Sequence, residues 1–174
     1  MFLKRRTKLL AGGAGLLLIA LAVAGCGGGS SAGSTGPPKT ASGKPATVGV
    51  TSANLGKILV DSQGRTLYLF TKDKGTTSAC SGACAVNWPP LAASGKATIG
   101  NGAKASLVST TMRSDGKTQL TYNGHPLYLF KEDTKAGQTN GQGLNAFGGL
   151  WYAVSPAGSQ VTATAPSSGG GSGY

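Results

Sequence analysis

Shifted by sixty positions, the chain matches itself without a gap. Residues 48–73 laid on residues 108–133 give ten identical pairs in 26, among them Gly64 with Gly124, Leu67 with Leu127, Tyr68 with Tyr128, Phe70 with Phe130 and Asp73 with Asp133. A duplicated unit of this size is one supersecondary element that cannot bury its own faces. The two copies must therefore complete each other.

The repeated unit reads as β. Residues 66–71 and 126–130 are dense in aromatic and aliphatic side chains and are bounded by turn residues. Period two sets Leu67 and Leu69 on one face, with Tyr68 and Phe70 on the other. Both faces are apolar, so these strands should be covered on both sides. Residues 57–60 and 117–122 read as preceding strands, the second joined onward through Asn123-Gly124. That dipeptide suits a type I′ hairpin turn, which needs positive φ twice. Residues 47–52 and 106–111 supply a first strand. Each unit is then a three-stranded meander followed by a loop and a Trp-bearing segment, residues 85–91 and 150–155. The only helical signal in the core is one turn around residues 81–87. The expected fold is all-β: two meander repeats, 48–91 and 108–155, packed into one small sheet or sandwich domain over residues 47–157.

The flanks differ in character. Lys4, Arg5, Arg6 and Lys8 precede a sixteen-residue apolar stretch, shorter than the roughly 20 residues a membrane span needs. Residues 1–25 therefore read as a secretory signal. They end at Val23-Ala24-Gly25-Cys26, which resembles a bacterial lipobox and marks Cys26 for lipidation. Residues 27–46 hold no Val, Ile, Leu, Met or aromatic residue, so they form a tether reaching roughly 25 Å. Residues 158–174, rich in Gly and Ser, read as a flexible tail. Of the formal +11, four positive charges belong to the signal. The core's ten Lys and Arg are scattered among five acids and read as a solvated surface, which removes most support for nucleic-acid binding.

Tyr68-Leu69-Phe70-Thr71-Lys72-Asp73 and Tyr128-Leu129-Phe130-Lys131-Glu132-Asp133 share a tyrosine–x–aromatic–x–x–aspartate pattern. With the Cys80-to-Leu91 stretch, which ends Asn-Trp-Pro-Pro-Leu, and the Asp115-to-Tyr128 stretch, they resemble a family of bacterial lipoproteins known as the secreted repeat of unknown function. The resemblance implies an envelope lipoprotein with two repeats and no established family-wide activity. The second copy departs from it. In place of the cysteines and Trp-Pro-Pro stand a Gly-rich run, 137–143, and Trp151-Tyr152.

Cys80 and Cys84 are the cysteines left after Cys26. Outside the cytoplasm they favour a disulfide, and the rival reading is a redox or metal-linked couple. Asp73 and Asp133 read as turn carboxylates accepting backbone N–H groups. The rival reading pairs them across the pseudo-twofold as a cation or acid/base site, with Lys57 and Lys117 as neutralising partners. Tyr68, Phe70, Tyr128 and Phe130 read as core, or as a stacking platform for a sugar or quinone where a face is open. His125, paired with Arg65 in copy one, reads as a turn residue. No metal, cofactor or catalytic motif is recognised, and a hydrolase ranks last. The function expected is a lipid-anchored, non-enzymatic extracytoplasmic binding or scaffold module. It would sit on the membrane through Cys26, with cell-wall or other envelope components as partners. The alternative is a redox- or metal-linked accessory using Cys80 and Cys84.

Overall fold

The computed structural model describes residues 45–163. Residues 1–44, on which the expected signal, Cys26 and nearly all of the expected tether fall, lie outside them, as do residues 164–174. The strands in chain order are β1 (Thr47–Ala53), β2 (Gly56–Val60), β3 (Tyr68–Phe70), β4 (Thr98–Ile99), β5 (Val108–Met112), β6 (Thr118–Tyr122), β7 (His125–Pro126), β8 (Asn145–Ala146) and β9 (Gly149–Ala153). One short α-helix, α1 (Ala83–Asn87), follows Cys80, where the sequence places a helical turn, and a 3-10 turn spans Ala105–Leu107. The strands form three small sheets, ordered β2-β1-β4, β3-β9-β8 and β5-β6-β7. The domain is all-β.

Copy two is the meander its sequence describes. β5 pairs with β6 and β6 with β7, and the turn between the last two carries φ of 50° at Asn123 and 79° at Gly124. Copy one follows the same path with one residue more in its second turn. Val60 faces Thr66, whereas Thr121 faces Pro126. Thr66 and Pro126 obey the sixty-residue offset, but Val60 and Thr121 do not. The extra residue is held by Asp61, whose carboxylate accepts the Gln63 and Arg65 N–H groups and pairs with the Arg65 guanidinium at 2.7 Å. Because strand side chains alternate, a one-place shift changes which residues are equivalent inside the core. Ile58 corresponds to Gln119, and Leu59 to Leu120.

Each repeat is closed by the other's last segment. β9, from repeat two, pairs antiparallel with β3 of repeat one, Tyr68 opposite Ala153 and Phe70 opposite Trp151. In return, Pro90 of repeat one bridges to Tyr128 of repeat two. The backbone of Leu59, Leu67 and Val154 forms a ring of three hydrogen bonds, from Leu59 N–H to Val154, Val154 N–H to Leu67 and Leu67 N–H to Leu59, at 2.8–3.1 Å. Leu120, Leu91 and Leu127 form the matching ring at 2.8–2.9 Å. The pseudo-twofold passes between Tyr68 and Tyr128, whose backbones exchange hydrogen bonds of 2.9 and 3.0 Å.

The two faces of the central strands lie in two cores. Leu67, Leu69, Leu127 and Leu129 join Leu59, Leu120 and Val154 in an aliphatic cluster. Tyr68, Phe70, Tyr128, Trp88 and Trp151 join the two cysteines in an aromatic cluster. The fold continues past residue 157, where the sequence places the start of the tail. Val161 N–H bonds to Ala153 and Ser155 N–H to Ser159, while the Gln142 side chain donates to the carbonyls of Val161 and Ala163. Backbone pairing to β9 orders a segment that composition alone marks as flexible.

Candidate functional site

The two copies of the motif exchange tyrosine hydroxyls. Tyr68 donates to Asp133 Oδ2 at 2.6 Å, and Tyr128 donates to Asp73 Oδ2 at 2.8 Å. The other oxygen of each carboxylate serves its own loop. Asp73 Oδ1 accepts the Ala79 N–H at 2.7 Å, and Asp133 Oδ1 accepts the Asn140 N–H at 3.0 Å. Each aspartate thus closes the loop behind its own strand and latches that loop to the opposite repeat. The tyrosines reach because the central strands lie side by side in opposite senses, each placing the other's hydroxyl beyond its end.

Four rings stack through the middle. Trp88 and Trp151 lie face to face, centroids 3.9 Å apart and planes 4° apart. Phe70 caps Trp151 at 4.0 Å and Phe130 caps Trp88 at 4.2 Å. Tyr68 meets Trp88 edge-on at 5.4 Å, as Tyr128 meets Trp151 at 5.1 Å. Both indoles and both tyrosines are at most 1% exposed.

The loops flanking this column are built differently. On one side the Cys80–Cys84 disulfide closes the turn leading into α1. On the other, Gly141 lies against the rings: a Cβ there would stand 2.7 Å from Trp88 and 2.9 Å from Tyr68. The glycine is needed for space. Its N–H also donates to the Tyr68 oxygen at 3.2 Å.

Arg113 enters from repeat two beneath the disulfide loop and is 6% exposed. Its guanidinium donates to Ser78 Oγ, to Gln119 Oε1 and to the Cys80 carbonyl at 2.7–2.8 Å. Ser78 Oγ stands 2.7 Å from the Tyr128 hydroxyl. Arg113, Ser78, Tyr128 and Asp73 are therefore one continuous polar network. Burial pushes the Asp73 carboxyl up to about 6, against the pull of the Ala79 N–H, the Tyr128 hydroxyl and the Arg113 charge. Burial raises Asp133 too, and raises both tyrosines, with the facing carboxylates adding to it.

Beside this network a groove of about 390 Å³ opens between the repeats. Asp73 and Thr71 of repeat one line it with Asn123 and His125 of repeat two and with Ser159 and Gln160 from the segment that follows.

A scan of family models matches residues 49–92 and 109–155, together just over half of the chain, to a family described as a secreted repeat of unknown function. The chain belongs to that family. The matched ranges coincide with the two structural repeats, and a secreted repeat works outside the cytoplasm. Searches of curated proteins and of solved structures find no match.

In this member of the secreted-repeat family, the four motif rings are core, as the sequence suggests, and the cysteines form a disulfide. The aspartates do accept backbone N–H groups, but from six and seven residues on, and their second task is the opposite tyrosine. The cation beside Asp73 is Arg113, which is buried rather than on the solvated surface that the scattered charges suggest. Lys57 and Lys117 form no ion pair among the described residues. No group of three or more metal-ligating side chains occurs among them either. Arg113 and Gln119 carried one legible signal. Ungapped alignment sets them against Ala53 and Leu59, and a polar residue standing where the other copy has an apolar one announces a buried partner when the position is covered.

Proposed function

We propose that the chain is a lipid-anchored, non-enzymatic envelope module that binds neutral glycan through the groove at His125. One observation carries the reading. The His125, Ser159 and Gln160 side chains face a groove of ligand size and make no side-chain hydrogen bond within the described protein. The groove's polar lining is hydroxyl, amide and imidazole, set beside the apolar Leu69 and Phe70, with no Lys or Arg, which disfavours phosphates and other anions. Its single carboxylate is already engaged by Tyr128 and Ala79. What remains suits an uncharged, hydroxyl- and amide-bearing ligand, the chemistry of an N-acetylated wall sugar.

Titration of the folded domain with chitin oligosaccharides, and co-sedimentation with purified cell-wall sacculi, test the reading. His125→Ala and Gln160→Ala should each weaken binding about fivefold to tenfold, the loss of one or two hydrogen bonds, with unchanged thermal stability. Retention of full affinity in the double variant would remove the groove from the proposal. The anchor is tested separately by Cys26→Ala, which should move the protein from the membrane fraction to the soluble one. A variant that stayed on the membrane would refute lipidation at Cys26.

A further inference from the structure

We propose that the crossed tyrosine–aspartate pairs and the paired indoles form a relay for single-electron oxidation, able to take a hole from an external one-electron oxidant of the metal-complex or ferric-haem class. Trp and Tyr are the side chains most readily oxidised by one electron. Here four of them form an unbroken contact path, Tyr68–Trp88–Trp151–Tyr128, with every neighbouring centroid within 5.4 Å. Face-to-face indoles share a positive charge between two rings, so the centre of the path is suited to carry it.

The ends of the path supply what a tyrosine needs when it is oxidised. A phenol that loses an electron becomes a strong acid and must give up its proton. Tyr68 and Tyr128 each hold a carboxylate oxygen at 2.6 and 2.8 Å, within the distance for direct proton transfer. The step balances as tyrosine hydroxyl plus aspartate carboxylate giving tyrosyl radical plus aspartic acid, with one electron passing to the oxidant. Return of one electron from a quinol- or ascorbate-class reductant reverses it, and the proton goes back to the phenol oxygen.

Packing does not require this arrangement. A purely apolar strand face would fill the same space without burying two hydroxyls and two carboxylates, each of which costs desolvation. The arrangement occurs twice, related by the pseudo-twofold, and both copies end on the same indole pair. The disulfide takes no part in the step, and the relay needs no ligand in the groove, with which it shares Asp73.

The test is flash oxidation of the full chain by photogenerated ruthenium(III) tris-bipyridine, read by electron paramagnetic resonance and by infrared difference spectroscopy. The expected product is a neutral tyrosyl radical, accompanied by a new carboxylic-acid carbonyl band. Tyr68→Phe and Tyr128→Phe, each leaving one pair intact, should each remove part of the radical signal. Asp73→Asn with Asp133→Asn should remove the acid band and leave the oxidation on tryptophan. Tyr122→Phe with Tyr152→Phe should change nothing. A radical confined to tryptophan in the wild-type chain, a signal abolished by the Tyr122/Tyr152 substitutions, or a tyrosyl radical formed with no acid band would each overturn the relay. The wild-type spectra decide this even if a variant fails to fold.

Discussion

Trp151→Ala is expected to cost about 3–5 kcal/mol, the usual penalty for emptying a buried aromatic site. The indole stacks on Phe70 and Trp88, receives the edge of Tyr128 and donates its N–H to the Ala146 carbonyl at 3.2 Å. Its backbone also carries the strand that closes repeat one. Each aromatic pairing adds about 0.5–1.5 kcal/mol beyond buried area, so the loss should fall at the upper end of that range. A domain of this size has about 5–15 kcal/mol in all, so the variant should stand near the edge of folding. Urea denaturation followed by near-ultraviolet circular dichroism gives the comparison. A loss below about 1 kcal/mol would mean that the column is not a major source of stability.

Arg113→Met is expected to be nearly as damaging, about 3 kcal/mol or more, because it strips donors from groups that stay buried. Gln119 Oε1 and the Cys80 carbonyl each lose a charged partner. The substitution should also change how stability depends on pH. The Asp73 carboxyl is held at about 6 in the folded chain against an ordinary value near 4. Between these values the folded state binds more protons than the unfolded one, so stability falls as pH rises. The contribution is complete below about pH 4 and gone above about pH 6. Given its partial exposure it amounts to about 1 kcal/mol. Arg113 holds the carboxyl down, so removing it should extend the decline above pH 6. Asp73→Asn should flatten it, since an amide can accept from Ala79 and donate to Tyr128. Melting temperatures from pH 4 to 8 for wild type and both variants would show this. An unchanged slope in Asp73→Asn would assign the pH dependence to another group.

Much of this architecture was legible because the repeat and the two-residue period speak about single strands. Leu67 and Tyr68 say by themselves that both faces are covered, and Asn123-Gly124 names its own turn. Two other features depend on relations between strands, where the sequence speaks less clearly. One is the extra residue in the turn at Asp61. Identities on either side of it, Lys57 with Lys117 and Gly64 with Gly124, hide the shift, and with it the equivalence of Ile58 and Gln119. The other is the exchange of closing segments. Two copies of one unit present nearly the same strand edge, so Trp88 and Trp151 suit their own repeat about as well as the other one. The connections from Phe70 to Trp88 and from Phe130 to Trp151 are long enough to allow either pairing, so the strand pattern alone does not choose the exchange. The burial of Arg113 is hidden for a related reason. A lone cation after a strand looks like surface until the opposite copy's loop is laid over it.

The ring of hydrogen bonds joining Leu59, Leu67 and Val154 also bears on timing. The first half of the domain cannot be finished until Val154, from the end of the second repeat, arrives, so the domain as a whole has no native state to settle into while the chain is still being delivered. A polypeptide that must pass a membrane as a thread benefits from such a clasp: it stays pliable in transit and locks only after its far end has come through.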